Sequence, residues 1–371
     1  MGIQKLILNF ILTIESWFIS FIKIKPHRVT FISLETNELT SDFKLIYDEL
    51  NHQEWDIRLC LIQYHKDLWG QFLYFLNCMK QLYFIHTSKI VILHDNNYVV
   101  SHFKREGVTV LQVWHACGAI KKFGNVIKRQ YPIANYDYVL ATSSYWQKPY
   151  SEAFSVLPEH VLPIGMPRTD ELFDEEWLKK SQDYLYNKYP HLLGKKIILY
   201  APTFRGNIYK GFEAIPFDAK RILNQLDDDY VILYKFHPLM GDYHLENDSR
   251  IINMNHEDTH VLFSISDYLI SDYSSIVFDY MILKKPLLFF VPDLQEYSQD
   301  LGVFVNLHDL GCPVCFHEDE VANSIIYEKT TNQDYQKLKD IFFDKQDGFS
   351  TKRVVDFMRG IIYENNEKNM H

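Results

Sequence analysis

The chain alternates short apolar runs with longer mixed stretches. Six runs read as buried strands: "RVTFISL" (Arg28–Leu34), "DIRLCLI" (Asp56–Ile62), "KIVILHD" (Lys89–Asp95), "TVLQVWH" (Thr109–His115), "YDYVLAT" (Tyr136–Thr142) and "HVLPIG" (His160–Gly165). They are β-branched and nearly continuous, the pattern of parallel strands covered on both faces. Lys66–Tyr83 is long and aromatic enough for a helix. After the charged stretch "DELFDEEWLKKSQDYLYNKYPHLLGKK", read as linking helices, the rhythm restarts. "KIILYAPT" (Lys196–Thr203), "YVILYKFHP" (Tyr230–Pro238), "SRIINM" (Ser249–Met254), "DYLISDYSS" (Asp267–Ser275) and "PLLFFVP" (Pro286–Pro292) are again strand-like. The fold class is therefore α/β, with two doubly wound domains, 26–190 and 191–371, and a ligand cleft between them. The closing "YENNEKNMH" reads as a polar tail.

The first 25 residues break this rhythm. "LILNFILTIESWFISFI" (Leu6–Ile22) is short for a membrane span, carries Glu15 near its centre, and is followed by no small-residue cleavage site. Asn9, Thr13, Ser16 and Ser20 line up as one polar stripe on a helix, and Lys5, Lys23 and Lys25 bracket it. That pattern predicts a helix lying in a membrane surface. The alternative is a helix packed on the protein's own core or on a second copy.

A length of 371 residues fits about two domains at ~150 residues each, and 47% apolar residues are ample for two cores. The net charge of -10 gives no global basic footprint, which argues against a nucleic-acid partner. The five cysteines are an odd number, and Cys312 and Cys315 form a C-x-x-C without a second pair. That supports a zinc site weakly and a reducing compartment better.

Residues with chemistry fall at predicted strand ends. His115 ends the fourth run. Thr203 and Arg205 follow "YAP", His237 ends "KFHP", and Asp272, Ser274 and Ser275 sit in "SDYSS". Ligands of open α/β sheets bind beyond the carboxyl ends of the strands. The shared chemistry is anion recognition: a guanidinium fork, hydroxyls with backbone N–H groups at a helix start, and imidazoles. Each residue has a structural alternative: a helix cap for Asp272 or Ser274, a turn histidine for His237, a surface ion pair for Arg205, a core histidine for His115.

Together the motifs resemble the CDP-glycerol glycerophosphotransferases of teichoic acid synthesis, from about residue 28 to about 315. The elements, in the family's order, are "WHACGAIKKFG", "GMPRTD" (Gly165–Asp170), "YAPTFR", "KFHP" and "DYSSIVFDY" (Asp272–Tyr280). Ala116 directly after the histidine, and Leu301 before Gly302, depart from the family pattern. The resemblance implies two Rossmann-like domains of GT-B type, the first on the acceptor side and the second binding CDP-glycerol. It implies transfer of glycerol phosphate to a lipid-linked acceptor, an undecaprenyl diphosphate disaccharide, with release of CMP. His115 is then the candidate base and His237 the donor-phosphate histidine. Thr203, Arg205, Asp272, Ser274, Ser275, Asp279 and Arg168 are the substrate-binding set, and Lys121 and Lys122, with Lys128 and Arg129, face the acceptor's diphosphate. No cofactor is expected. No carboxylate cluster demands a metal, although Asp272 and Asp279 leave one open. The chain lacks the extra N-terminal region of the long polymerases, which favours a primase or short-chain transferase. The implied place is the cytoplasmic face of the cell membrane, as a peripheral protein in association with other teichoic acid enzymes. CDP-ribitol as donor, or a nucleotide-sugar glycosyltransferase, are the rival readings.

Overall fold

A computed structural model describes residues 3–50, 54–64, 67–207, 211–236, 245, 248–300, 302–327 and 334–368. Among these, the strands form two six-stranded sheets and one hairpin. The first sheet contains β1 (Lys25–Ser33), β2 (Asp56–Leu61), β3 (Ser88–Leu93), β4 (Thr109–Gln112), β5 (Tyr138–Leu140) and β6 (Val161–Leu162), in the order β2-β1-β3-β4-β5-β6. In the second half, β7 (Lys196–Ala201) is followed by the antiparallel hairpin β8 (Arg205–Asn207) and β9 (Gly211–Glu213). The second sheet joins β7 to β10 (Tyr230–Tyr234), β11 (Ile251–Asn253), β12 (Tyr268–Ser271), β13 (Leu287–Phe290) and β14 (Val314–Cys315), in the order β11-β10-β7-β12-β13-β14.

Every pairing within the two sheets is parallel. Arg28–Ser33 of β1 and all of β10 and β13 are buried at consecutive positions, hence on both faces. Parallel strands need helical crossovers, and these cover both faces. The second sheet has the strand order of a dinucleotide-binding domain, with its reversal between β7 and β12. In the first sheet the reversal lies between β1 and β3. The α/β expectation, with two Rossmann-like units, holds. The hairpin β8–β9 and β14 are additions that the apolar pattern misses, because runs of two or three residues carry no period.

Compact grouping does not follow chain order. One unit comprises Met1–His115, Phe123–Asp170 and Phe343–His371; the other comprises Ala116–Lys122 and Glu171–Phe342. The first unit therefore recovers the C-terminal helix Ser350–Lys368, which continues six residues into the presumed polar tail. The "GMPRTD" element is the clasp. Gly165 has φ +96°, and a Cβ there would lie 2.2 Å from Ser350 Oγ, so only glycine fits. The Asp170 carboxylate accepts from the backbone N–H of Ser350 (2.8 Å) and of Thr351 (2.8 Å) and from Thr351 Oγ1 (2.7 Å), capping that helix.

The N-terminal helix spans Ile3–Ile19 and packs on the helix Leu68–Thr87. Its polar stripe divides: Asn9 and Ser16 face the protein, whereas Thr13 and Ser20 are exposed and bond back to the carbonyls of Asn9 and Trp17. Asn9 Oδ1 accepts from the Tyr98 hydroxyl at 2.5 Å, and Ser16 Oγ lies 3.5 Å from His86 Nε2. Leu12 is fully buried, whereas Phe10, Trp17, Phe18 and Phe21 are 60–72% exposed. The outward ridge is thus apolar, and Leu68, Trp69 and Phe72 on the neighbouring helix are exposed as well. No helix among the described residues is long and apolar enough to cross a membrane. All five cysteines are buried, and there is no disulfide among the described residues.

Candidate active site

In the first unit the strand reversal places Ser33 and Leu34 beside Asp95. The Asp95 carboxylate accepts from Leu34 N (2.6 Å) and Ser33 Oγ (3.1 Å), while its Oδ1 is buried without a hydrogen-bond partner among the described residues. Burial raises its pKa to about 7; the bond from Leu34 opposes that rise. Adjacent His94 is buried, and its Nε2 lies 3.5 Å from an Arg168 nitrogen. Arginine can only donate, so this Nε2 is the lone-pair nitrogen and the proton sits on Nδ1, 3.7 Å from Glu35 Oε2.

His115 lies three residues beyond β4. Its ring lies tilted by 33° against Trp114, with centroids 3.8 Å apart. Its Nδ1 faces the His94 carbonyl at 3.3 Å and Glu35 Oε1 at 3.7 Å. Both are acceptors, so Nδ1 carries the proton and Nε2 keeps its lone pair. Loss of hydration lowers the His115 pKa, and His94 and Arg168 lower it further, against the pull of Glu35. The side chain remains 38% exposed, so the push is weaker than full burial would give. The arrangement suits a neutral base with Nε2 available and a carboxylate ready to stabilise the imidazolium.

Arg168 holds this group in place. It donates to Asp42 through its backbone N (2.8 Å) and Nε (2.7 Å), and through Nη1 to the His115 carbonyl (2.8 Å). Burial would raise the Asp42 pKa, but the Arg168 guanidinium outweighs it and holds the carboxylate ionised. Arg168, expected to bind substrate, is thus committed to orienting His115 and Asp42. Glu35, His94 and His115 also place one possible metal-ligand atom each within 4.8 Å. The Nδ1 atoms of both rings carry protons in the tautomers their partners require, so these donors fit a proton-handling set better than a cation site.

In the second unit the reversal between β7 and β12 repeats the device. Asp272 accepts from Thr203 N (2.8 Å) and Thr203 Oγ1 (2.9 Å). Arg205 donates through Nη1 to Asp272 Oδ2 (2.9 Å) and forks through Nε and Nη2 onto Asp293 (2.6 and 3.2 Å). Its guanidinium lies 5.1 Å from the centroid of Tyr273 and 4.9 Å from that of Tyr297. The fork expected to meet phosphate is therefore engaged by two carboxylates. Lys121 belongs to this group. It bridges Val303 and lies 5.6 Å over the Phe204 ring; burial lowers its pKa, and Asp272 partly restores it. Lys122 packs its stem near Gly302, a partner the sequence did not foretell.

A cavity of about 510 Å³ opens at the carboxyl ends of β7 and β10, lined by Thr203, Lys235, Asn255, Glu257, Thr259 and Ser274 among others. Ser274 Oγ is 3.5 Å from Ile276 N, and Ser275 makes no side-chain cap. Asp272 does not cap the helix either, since its oxygens face Thr203 and Arg205. Asp279 is not placed to touch a ligand. It is 4% exposed and pairs with His260 Nε2 at 3.5 Å. Burial alone would lower the His260 pKa, but Asp279 and Glu171 raise it to about 9. His237 and Leu301 lie outside the described residues. A smaller cavity of about 220 Å³, at His27, Trp55 and Tyr363, lies at the amino ends of β1 and β2 and holds none of the expected residues.

Residues 15–360 match the family of CDP-glycerol:poly(glycerophosphate) glycerophosphotransferases. The chain belongs to this family. It is 30% identical to the teichoic acid ribitol-phosphate primase of Bacillus spizizenii over 368 residues, covering 92% of this chain and 93% of that one. It is 32% identical to the teichoic acid glycerol-phosphate primase of Bacillus subtilis, covering 77% of each. The wall teichoic acid polymerase TagF shares its fold, with a TM-score of 0.69 at 23% identity over 98% of this chain and 99% of that one.

Among the glycerophosphotransferase motifs, "WHACGAIKKFG" is split between the two units after His115, and "GMPRTD" serves as clasp and His115 clamp. Sequence reasoning missed Glu35, His94, Asp95, Asp293 and His260. Asp95 was legible as the polar residue ending "KIVILHD". Glu35 and Asp293 carried no signal, because only the fold brings them to His115 and Arg205.

Proposed function

We propose that the chain transfers glycerol phosphate from CDP-glycerol to an undecaprenyl diphosphate disaccharide at the cytoplasmic face of the membrane, releasing CMP. Family membership supports the coarser statement, a CDP-alcohol phosphotransferase of teichoic acid synthesis; the glycerol donor and the acceptor are the proposal. An acceptor hydroxyl attacks the phosphorus that carries glycerol. The bond from that phosphorus to the CMP oxygen breaks, and CMP leaves with the electron pair. His115 Nε2 takes the hydroxyl proton, and Glu35 faces the imidazolium that results. The donor nucleotide lies in the cavity of the second unit, beside Thr203, Ser274 and Lys235. Lys121 and the Arg205–Asp272–Asp293 group set the charge at its edge. The apolar ridge of Phe10, Trp17, Phe18 and Phe21 rests on the bilayer, with Asn9 and Ser16 holding the helix to the protein.

The observation that carries the reading is the match of the family over residues 15–360. The test is incubation with CDP-glycerol and a synthetic lipid-linked disaccharide, followed by product mass. A gain of one or more glycerol phosphate units with equal CMP release supports it. Absence of transfer from any CDP-alcohol sinks it. The second reading is ribitol phosphate transfer from CDP-ribitol, favoured by the ribitol-phosphate primase matching over 93% of its own length. The mass of the added unit separates the two.

A further inference from the structure

A cavity of about 710 Å³ in the first unit is not used by the reaction just described. It runs between the N-terminal helix and the helix Leu68–Thr87, with Leu8, Tyr64, Leu68, Phe72, Phe75 and Tyr131 in its walls. At about 30 Å³ per water-sized group it has room for roughly twenty carbon-sized groups. Its two ends differ. At the outer end the walls are exposed: Leu68 is 85% exposed and Phe72 48%. A chain leaving a bilayer enters there without crossing water. At the inner end Tyr98 and Tyr131 meet edge to face at 5.1 Å, and cations cover both rings. Lys5 Nζ lies 5.3 Å over Tyr98, and Arg129 Cζ lies 5.9 Å over Tyr131. Arg129 Nε is buried without a hydrogen-bond partner among the described residues. The Tyr131 hydroxyl donates to the Asn96 carbonyl at 3.2 Å, on the turn that carries His94 towards His115.

An apolar trough with exposed outer walls, Lys5 in its lining, Arg129 over its Tyr131 wall and the His94–Asn96 turn bonded to that tyrosine has a matching ligand shape. That ligand has a long hydrocarbon, an anionic group at its end, and a hydroxyl-bearing part beyond it. We propose that this groove binds the isoprene units nearest the diphosphate of a polyprenyl diphosphate acceptor, with Lys5 and Arg129 at the diphosphate. The proposal rests on the lipid-linked acceptor of the function proposed above and adds where its lipid is held.

Geranylgeranyl diphosphate, a soluble polyprenyl diphosphate, is the probe. Its binding to the full chain is followed by tryptophan fluorescence, with Trp69 beside the outer end. Saturable binding is expected in the wild type and at least tenfold weaker binding in Leu8→Trp, which fills the groove, and in Arg129→Glu, which reverses the inner charge. Thermal melts establish folding, and should Leu8→Trp not fold, Arg129→Glu, at a half-buried position, still decides. Vesicle binding by Arg129→Glu is expected to be unchanged, because the ridge is intact. No saturable binding by the wild type, wild-type affinity in both variants, or equal affinity for a palmitoyl phosphate of similar length overturns the groove. Transfer to the lipid-linked disaccharide without probe binding overturns the groove alone. Probe binding lost in the variants, with no CMP release by the wild type, supports the groove and sinks the reaction.

Discussion

Arg205→Ala tests whether the second-unit group is built as the structure shows it. Arg205 is the cationic partner of two carboxylates, and the Asp272 side chain is 1% exposed. Removing the guanidinium leaves Asp272 with its Thr203 bonds and the nearby charge of Lys121, but without its hydrogen-bonded countercharge. Breaking a buried pair from one side costs about 3–5 kcal/mol, because the orphaned charge stays desolvated. At roughly 2–4 °C per kcal/mol for a unit of this size, the expected fall in Tm is roughly 6–20 °C. The pH dependence follows from Asp272. Burial raises its pKa and Arg205 restrains the rise, so the variant's pKa is higher still. A carboxyl whose folded pKa is raised destabilises above that pKa, and the penalty fades as pH falls through it. The gap between variant and wild type should therefore be wider at pH 8 than at pH 5. Arg205→Ala combined with Asp272→Asn should recover part of the loss, since no charge is then stranded. The assay is calorimetric melting of the three proteins at both pH values. A single variant that melts within ~1 kcal/mol of wild type at pH 8, or a gap that widens on acidification, refutes the buried-pair argument and returns Arg205 to a free phosphate fork.

His115→Asn should lower turnover by ~10²-fold or more while the fold melts normally. The acid limb of wild-type activity should lie below the ordinary histidine value of ~6.5, since the His115 pKa is lowered; a limb above 7 contradicts the site as drawn. Glu35→Gln should cut kcat several-fold and move that limb lower still, with KM for the donor unchanged, whereas a purely structural Glu35 would leave the limb where it was. His260 binds its proton with a raised pKa of about 9. Its stabilisation, up to roughly 3 kcal/mol, is complete below the unfolded value and lost as pH rises through about 9; stability measured in urea from pH 7 to 10 should fall less in His260→Gln than in wild type. Trp17→Glu with Phe21→Glu should reduce co-sedimentation with anionic vesicles while leaving the melt unchanged, because both side chains point outward; undiminished binding removes the ridge as the attachment surface.

By itself, the sequence determined what depends on local period and on short motifs. Nearly continuous apolar runs avoid solvent on both faces, so most become parallel strands inside a sheet, while β2, with Arg58 and Leu59 exposed, is an edge. Their regular spacing with helical stretches fixes two α/β units. The strand-end rule located His115, Thr203, Arg205 and Asp272 before any coordinate, and the five motif elements placed the chain in its family. The orientation of the N-terminal helix was not legible. A stripe of Asn9, Thr13, Ser16 and Ser20 predicts a helix with two faces but not which one meets the protein; in the structure the stripe is split, with Asn9 and Ser16 at Tyr98 and His86 and with Thr13 and Ser20 exposed. What Arg205 does was not legible either, because Asp293 comes from 88 residues away and turns an expected phosphate fork into an ion pair. The same holds for Asp279, which reads as a ligand contact until His260 is found beside it. Tertiary structure alone placed Glu35 at His115, Lys121 near Arg205, and the C-terminal helix on the first unit through Gly165 and Asp170. Periodicity reports how one segment meets solvent, whereas the partner of a charged group is set by closure of loops tens to hundreds of residues long, which leave no local trace.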